Sequence, residues 1–438
     1  MLRRNENDWA HLLSQAEKTY VDAVHSGATL ESESKLSAAL EYENVLAQFK
    51  VGGASVLPTL HQSASTVNAY RRNVAVRILL ELQDKEFLKR LSASILADST
   101  PQLTEAVLKI LWKAIPPSTE DFEHLLRTRR WERLPMLRAL LGSSFTINKV
   151  LELVQNSGDN GALHDLIEFL PESSNNSAIL LNFARASSEV IRLVQTKTRL
   201  VAAFKLGLQG VDEGIQFLEA VASSEDELAA ARACDYLSLL ALPRVIKPLK
   251  RLLKSPDPNV VAVSMQAVAN IGVVDLVVDL IPIIQRDEHA AVTDARICDE
   301  AVYIIRSILG GELLQAEYAE EFEFESIPPI LTTKFKIRVA KKAEVMLKSF
   351  DPTRRYWAGH PISLSMLVDS LLSPHSGENR RAAYNLQSIT GENYRYELDS
   401  DLVDNVKAVL AWKSRAANPY PLKPTGWAFM GNPIIPFE

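Results

Sequence analysis

The chain has 438 residues, of which 47% are hydrophobic, 23% are charged and only 7% are aromatic, a composition that favours a globular protein of stacked helices. Its formal net charge of -6 argues against a general affinity for nucleic acid or anionic membranes. The sequence contains no run of about 18 apolar residues, and its start lacks the apolar core of a signal peptide. We therefore expect a cytoplasmic protein with no membrane partner.

The first 60 residues are predicted to form an irregular helical cap. Apolar residues at helical spacing run through residues 8–25 and again through residues 31–48, and Gly52 and Gly53 follow the second run. A terminal cap of this kind is expected in helical-repeat proteins, because the apolar end of the array must be covered.

Residues 61–310 carry the regular part of the pattern, and residues 245–272 show it most clearly. Two short amphipathic helices meet there at Pro256, Asp257 and Pro258, and Gly272 ends the second helix. Two helices of about 12 residues cannot bury their apolar stripes alone, so the pair requires stacked neighbours.

The predicted ends of the second helices recur at intervals of 29 to 37 residues. These ends are Leu82, Trp112, Leu141, Leu170, Gly207, Leu240, Gly272 and Leu309. The interval is typical of helix-turn-helix repeats. The sequence therefore predicts an all-α solenoid, in which a second block of repeats covers residues 346–416.

The regular pattern stops at residues 311–345, which are predicted to form a charged insertion. Glutamates without an intervening Lys or Arg come first, and a basic block follows Pro328 and Pro329. The acidic block could close onto the basic block, or it could dock on a basic partner through its aromatic side chains. The second interpretation makes candidate partner-binding residues of Glu317, Tyr318, Glu320, Glu321, Phe322, Glu323 and Phe324. The alternation in residues 321–326 also fits a short strand.

Arginines form the second candidate surface. They lie one or two repeats apart, and a solenoid stacks equivalent positions into rows, so they could line one concave wall. The candidate residues are Arg71, Arg72, Arg127, Arg129, Arg130, Trp131 and Arg133, with Arg77 and Arg138 nearby. Three interpretations stay open for this wall: a solvated helix face, a site for an acidic protein, and a site for nucleic acid.

The last segment, residues 417–438, contains five prolines, which forbid a helix, together with large apolar side chains such as Trp427 and Phe429. This composition predicts a tail that packs. It either caps the end of the array or docks in a groove of a partner or of a second copy of the chain.

Two segments resemble HEAT repeats: residues 245–272, and residues 367–391 with their Arg-Arg-Ala-Ala core at 380–383. The resemblance implies an armadillo-like, right-handed superhelix. In the HEAT family a turn aspartate and an arginine of the second helix form a ladder between repeats; here Asp257 fits the first role, and Arg380 or Arg381 fits the second.

Residues 354–387 are also similar to the C-terminal part of HEAT-repeat proteins of unknown role that are encoded near type VI secretion clusters of proteobacteria. That resemblance rests on Gly359 and Pro361 before a helix pair. It implies a cytoplasmic bacterial protein that binds another protein, such as a secreted effector or toxin. An adaptor or an immunity protein would act in this way.

The common enzyme motifs are missing, including phosphate-binding loops, HExxH, CxxC and GxSxG. The histidines are scattered, and His289, close to Asp287 and Asp294, is interpreted as part of an ordinary turn. Cys234 and Cys298 lie among apolar residues and are interpreted as buried thiols. We therefore predict no enzymatic activity, catalytic residue, metal or cofactor.

The main functional prediction is a non-catalytic protein-binding scaffold whose partner and oligomeric state the sequence does not name. One alternative is nucleic-acid binding through the concave arginine wall. The other is a lyase-like enzyme, because phycobilin lyases also carry HEAT-like repeats.

Overall fold

The computed structural model describes residues 6–24, 32–97, 103–128, 133–141, 147–170, 174–185, 196–310, 322–323, 330–373, 375–418, 428–429 and 432–433. Helices dominate these residues, and the strands are two residues long. The prediction of an all-α protein is therefore confirmed. Packing of helix against helix is also observed throughout, as a helical-repeat fold requires.

The described α-helices are mostly short. They are α1 (Glu6–Val24), α2 (Ser32–Gly52), α3 (Leu57–Ala64), α4 (Ala69–Glu81), α5 (Lys85–Leu96), α6 (Glu105–Ala114), α7 (Thr119–Thr128), α8 (Arg133–Leu141), α9 (Ile147–Ser157), α10 (Asn160–Phe169), α11 (Ser174–Arg185), α12 (Thr196–Leu208), α13 (Asp212–Ala222), α14 (Glu227–Leu239), α15 (Ile246–Leu252), α16 (Pro258–Ile271), α17 (Val274–Leu280), α18 (Ile297–Leu309), α19 (Thr333–Met346), α20 (Leu364–Ser370), α21 (Ser376–Thr390) and α22 (Leu402–Ala417).

Short 3-10 helices and two-residue strands complete the described secondary structure. The 3-10 helices are Gly53–Val56, Pro243–Val245, Ile281–Gln285 and Leu347–Ser349. The strands are β1 (His289–Ala290), β2 (Ala295–Arg296), β3 (Phe322–Glu323), β4 (Ile330–Leu331), β5 (Tyr356–Trp357), β6 (His360–Pro361), β7 (Ala428–Phe429) and β8 (Asn432–Pro433). Among the described residues the strands pair antiparallel as separate two-stranded sheets: β1 with β2, β3 with β4, β5 with β6 and β7 with β8. Strand β3 lies in the alternating stretch 321–326, where the sequence favours a strand.

The chain divides into two compact units. The first unit comprises residues 1–171, 371–379 and 394–412, and the second comprises residues 172–370, 380–393 and 413–438. Each unit therefore combines a long N-terminal part with short C-terminal segments that are distant in sequence.

The predicted rhythm of second helices agrees with the structure. Helices α4, α6, α8, α10, α12, α14, α16 and α18 each end within two residues of the predicted positions. In the second unit, α12 packs on α13, α13 on α14, and α14 on α16. Apolar periodicity located these ends well because each helix buries one stripe against its neighbours.

Helix α16 shows how the sequence sets the limits of a repeat. Asp257 accepts a hydrogen bond from the backbone N–H of Asn259 at 2.8 Å, and Pro258 occupies the first turn, where its missing N–H costs nothing. At the other end Gly272 has a φ of +66°, and its N–H bonds to the carbonyl of Val268. This residue requires glycine because a left-handed conformation strains other residues.

Arginines join consecutive repeats of the second unit through main-chain carbonyls. Arg251 donates to the carbonyls of Ala222 and Ser224, at 3.2 and 3.0 Å. One repeat later, Arg286 donates to the carbonyl of Ser255 at 2.8 Å. Asp257, the residue that fits the turn position of a HEAT ladder, instead caps its own helix. The contacts between these repeats therefore use turn carbonyls as acceptors.

Both cysteines are buried and free, as predicted. Burial raises the pKa of the Cys234 thiol to about 12, so it stays protonated and unreactive near neutral pH.

We expect Gly272→Ala to destabilise the second unit by about 3 kcal/mol, since it adds steric overlap to left-handed strain. A Cβ at this position would lie 2.6 Å from the carbonyl oxygen of Tyr356. The matched control is Gly210→Ala, where φ is also positive but no atom lies within 4 Å of the added Cβ. The control should cost only about 1 kcal/mol. Urea unfolding followed by circular dichroism measures both losses, and equal losses would contradict the steric explanation.

Candidate protein-binding surface

Three basic side chains of the first unit lie at repeat-spaced positions of successive second helices, and a fourth lies beside one of them. Arg77 lies on α4, Lys109 on α6 and Arg138 on α8, at intervals of 32 and 29 residues. Lys113 lies one turn beyond Lys109 on the same helix. We call these four residues the basic row. The side chains of Arg77 and Lys109 are each only 5% exposed, and that of Arg138 is 12% exposed, which is unusual for charged groups.

A short acidic segment supplies the partners of the basic row. It consists of Glu397, Asp399 and Asp401 in the stretch before α22, and Asp404 in the first turn of that helix. We call these four carboxylates the acidic strip. The strip belongs to the first unit, although it is separated from the basic row by more than 250 residues of sequence.

Arg77 is bound by two members of the strip. Its guanidinium donates to Asp404 through both terminal nitrogens, at 2.6 and 3.0 Å, and to Asp401 at 2.5 Å. The hydroxyl of Tyr20 donates to the same Asp401 carboxylate at 2.7 Å. Bidentate pairing of this kind is among the stronger polar contacts in proteins.

Lys109 is bound by the middle of the strip. Its ammonium group contacts the carboxylate of Glu397, lies 3.3 Å from a carboxylate oxygen of Asp399, and lies 2.5 Å from the hydroxyl of Ser400. Lys113 adds a contact of 3.4 Å to Glu397 from the half-exposed edge of the row. All three donor positions of the Lys109 ammonium can therefore be used.

Arg138 is the last member of the basic row in the sequence, and it also contacts the strip. It contacts the carboxylate of Glu105 and lies 2.9 Å from Asp399 of the strip. Its guanidinium also stacks over the ring of Phe169, 3.7 Å from the ring centroid. Glu105 starts helix α6, so Arg138 joins two neighbouring helices as well as the strip.

The backbone of the strip is held by side chains of its own neighbourhood. Asn405 accepts from the backbone N–H of Glu397 at 2.8 Å and donates to the carbonyl of the same residue at 2.9 Å. Tyr396 donates to the carbonyl of Leu371 at 2.7 Å, and Tyr394 packs edge-on against Trp412. These contacts orient the carboxylates toward the basic row.

The ion pairs shift the pKa values of Glu397 and Arg77. Burial alone would raise the pKa of Glu397, but the hydrogen bond and charge of Lys109, with help from Lys113 and Ser400, lower it to about 2. Burial alone would also lower the pKa of Arg77, but Asp404 and Asp401 raise it well above its ordinary value. Both groups are therefore charged at neutral pH, and the contact is ionic.

The structure describes only some residues of the predicted arginine wall. Arg71 lies 3.8 Å from Glu17, Arg72 is buried and donates to the carbonyl of Thr66, and Arg127 is 77% exposed beside Glu123 on the same helix. Arg129, Arg130 and Trp131 lie outside the described residues, as does the side chain of Arg133 at the start of α8. The structure therefore leaves the binding role of this set a prediction.

The candidate residues of the charged insertion lie almost entirely outside the described part of the chain. This holds for Glu317, Tyr318, Glu320, Glu321 and Phe324. Phe322 and Glu323 form β3 and pair with Leu331 and Ile330, but their side chains are not among those described.

Sequence reasoning missed Lys109, Lys113 and the whole acidic strip. The basic positions carried a usable signal, because residues 77, 109 and 138 share the repeat interval. The strip carried only a weak signal, a carboxylate at every second position from 397 to 401. Nothing local in the sequence pairs the two groups.

The described residues form neither a metal-ligand cluster nor a membrane-spanning helix. Among them no cluster of His, Cys, Asp and Glu side chains could hold a metal ion. Over the same part of the chain, no helix combines the length and the apolar character needed to cross a membrane.

Comparison with known proteins adds no family. No protein-family model matches the chain, and a comparison with curated proteins finds no match. The resemblance to HEAT repeats and to proteins of type VI secretion clusters therefore rests on the residues quoted above.

We expect Arg77→Gln to lower the free energy of unfolding by about 3 to 5 kcal/mol, because it leaves two partly buried carboxylates without their cation. The matched control is Arg127→Gln, which removes an exposed pair within one helix and should cost less than about 0.5 kcal/mol. Thermal and urea unfolding measure both changes. Similar losses in the two variants would show that the basic row does not stabilise the first unit.

Acid should weaken the contact over a defined range. An unfolded chain protonates Glu397 near its ordinary pKa of 4.5, whereas the folded protein does so only at about 2. The contribution of this carboxylate is therefore complete above pH 4.5 and is lost as the pH falls toward 2. In urea titrations across this range, Glu397→Gln should flatten the loss of stability relative to wild type, whereas Glu123→Gln at an exposed helical pair should not. Parallel curves for wild type and Glu397→Gln would contradict the assignment.

Proposed function

We propose that this protein is a non-catalytic scaffold that binds other proteins through a charged row on its second helices. The observation that carries the proposal is the pairing of every member of the basic row with the acidic strip. The row already binds one stretch of polypeptide through the four carboxylates of Glu397, Asp399, Asp401 and Asp404. A scaffold of paired helices suits this role, because surface side chains can vary while the apolar stripes stay constant.

The more specific form of the proposal is a HEAT-like, right-handed superhelix that serves as an adaptor or immunity protein linked to type VI secretion. Its support is the sequence similarity of residues 245–272 and 354–387 described above. The expected partner is then a protein, such as a secreted effector or toxin, that presents acidic side chains to the basic row.

Nucleic-acid binding and a lyase-like activity are the alternatives. The basic row favours a protein over nucleic acid, because its cations pair with side-chain carboxylates in a geometry set by a peptide backbone. The lyase alternative rests on helical-repeat architecture alone, which many unrelated functions share.

The test is capture of a partner from the native host with the full chain as bait after nuclease treatment, followed by reconstitution with the purified partner. Lys113→Glu inverts the half-exposed charge of the basic row. Its matched control is Lys149→Glu, a similarly exposed lysine of the first unit that pairs with Glu152 on its own helix. We expect a stoichiometric protein whose affinity falls at least about tenfold in Lys113→Glu and is unchanged in the control.

A companion variant carries Arg127→Glu, Arg129→Glu and Arg130→Glu and tests the predicted arginine wall. Loss of the partner only in this variant would place the site there and away from the basic row. Recovery of nucleic acid that dissociates as salt is raised would overturn the proposal in favour of the first alternative.

A further inference from the structure

We propose that the acidic strip is an internal ligand that occupies a site for an acidic segment of another protein, so that the chain is autoinhibited. This inference rests on the proposed function and names its ligand. The ligand class is a peptide segment with carboxylates at the spacing of residues 397, 399, 401 and 404.

Arg77 and Lys109 of the basic row are more deeply buried than the carboxylates of the acidic strip. The cations of Arg77 and Lys109 are almost fully covered and stand on helices whose apolar faces fix them. The carboxylates lie outside them: the side chain of Glu397 is 43% exposed, and those of Asp399 and Asp404 are each 25% exposed. The strip is thus the outer layer of this contact.

The backbone of the strip is less regular than that of the helices that carry the basic row. Residues 391–401 form neither helix nor strand. A turn hydrogen bond from the N–H of Ser400 to the carbonyl of Glu397 and the bonds to Asn405 hold this stretch, and detachment of the strip would break them. Helices α4, α6 and α8 carry the basic row within regular hydrogen-bonded structure. Segments with irregular backbone open more readily than packed helices.

Once uncovered, the cations of the basic row would be hydrated, and a segment that covers them again must supply counter-charge. Burying a cation without a counter-charge is strongly unfavourable, so a neutral or basic segment cannot occupy the row. Carboxylates held on one polypeptide satisfy all four cations at once, which is what the strip itself does. The favoured occupant is therefore an acidic protein segment.

The strip also leaves part of the binding capacity of the row unused. Among the described residues, the Nε atoms of Arg77 and Arg138 are buried without a hydrogen-bond acceptor. Each such donor carries a cost that a better-fitting acceptor would remove.

The spacing of the strip gives a testable recognition pattern. Residues 397–400 form a turn in which the N–H of Ser400 donates to the carbonyl of Glu397 at 3.1 Å, and Asp404 follows in the first turn of α22. This backbone places the carboxylates of Glu397, Asp399, Asp401 and Asp404 on the basic row. The expected partner motif has acidic residues at positions i, i+2, i+4 and i+7.

The experiment uses the full chain and a fluorescent peptide of residues 394–406, YRYELDSDLVDNV. The strip is weakened by the double substitution Glu397→Gln and Asp399→Asn. The matched control is Glu123→Gln with Glu152→Gln, which removes two carboxylates elsewhere in the first unit. A control peptide carries Gln or Asn at its four acidic positions.

We expect the weakened chain to bind the acidic peptide at least about tenfold more tightly than wild type or the matched control, with no binding of the neutral peptide. If the weakened chain keeps its circular dichroism and melting transition but binds no better than the control, the strip is purely structural and the proposal fails. Should the double variant melt below the assay temperature, Glu397→Gln alone serves for the same comparison.

Hydrogen exchange on the wild-type chain provides an independent reading. Backbone amides of residues 395–401 should exchange faster than those of α4, α6 and α8, and addition of the purified partner should change exchange in both sets. Equal protection of strip and helices would overturn the proposal.

The proposed function and the internal-ligand proposal can fail separately. Peptide binding without a captured partner would contradict the proposed function. A captured partner that does not compete with the peptide would contradict the proposal that the strip is an internal ligand.

Discussion

The contact between the basic row and the acidic strip is the constraint on which the first unit depends. Burying arginine and lysine side chains is costly, and the cost is offset only when carboxylates with good geometry replace the lost water. Arg77 and Lys109 obtain those carboxylates from the C-terminal part of the chain. The N-terminal helices therefore reach a satisfied state only when the acidic strip, or an equivalent acidic segment, is in place.

The same logic explains how a row of buried cations selects one segment of the chain as well as stabilising the first unit. Apolar stripes on paired helices bring the helices together without specifying what lies across them, because hydrophobic contacts are non-directional. Charged pairs with fixed spacing select one segment in one register. In the second unit a similar device is seen where Arg380 pairs with Asp235, with the signs of the charges exchanged. In both units, charged pairs thus join a C-terminal segment to earlier helices of the same unit.

Much of the fold was predictable from the sequence, and the candidate site was predictable only in part. Helical periodicity predicts the ends of α4, α16 and α18 because each helix must bury one apolar stripe. The limits of α16 are also marked by the backbone chemistry of Asp257, Pro258 and Gly272. The sequence places Arg77 and Arg138 near a predicted arginine-rich surface. It does not identify Lys109, because a lysine within an apolar helix has no local feature that indicates a buried ion pair.

The sequence by itself determined the helical class, the repeat interval and the caps that begin and end individual helices. These features follow from interactions within about one repeat, and local spacing encodes them. Only the tertiary structure decided that residues 397–404 lie against α4, α6 and α8. Pairing over such a separation depends on which surfaces the packed helices bring within a few ångströms, and the charge pattern alone allows many other pairings between basic and acidic residues.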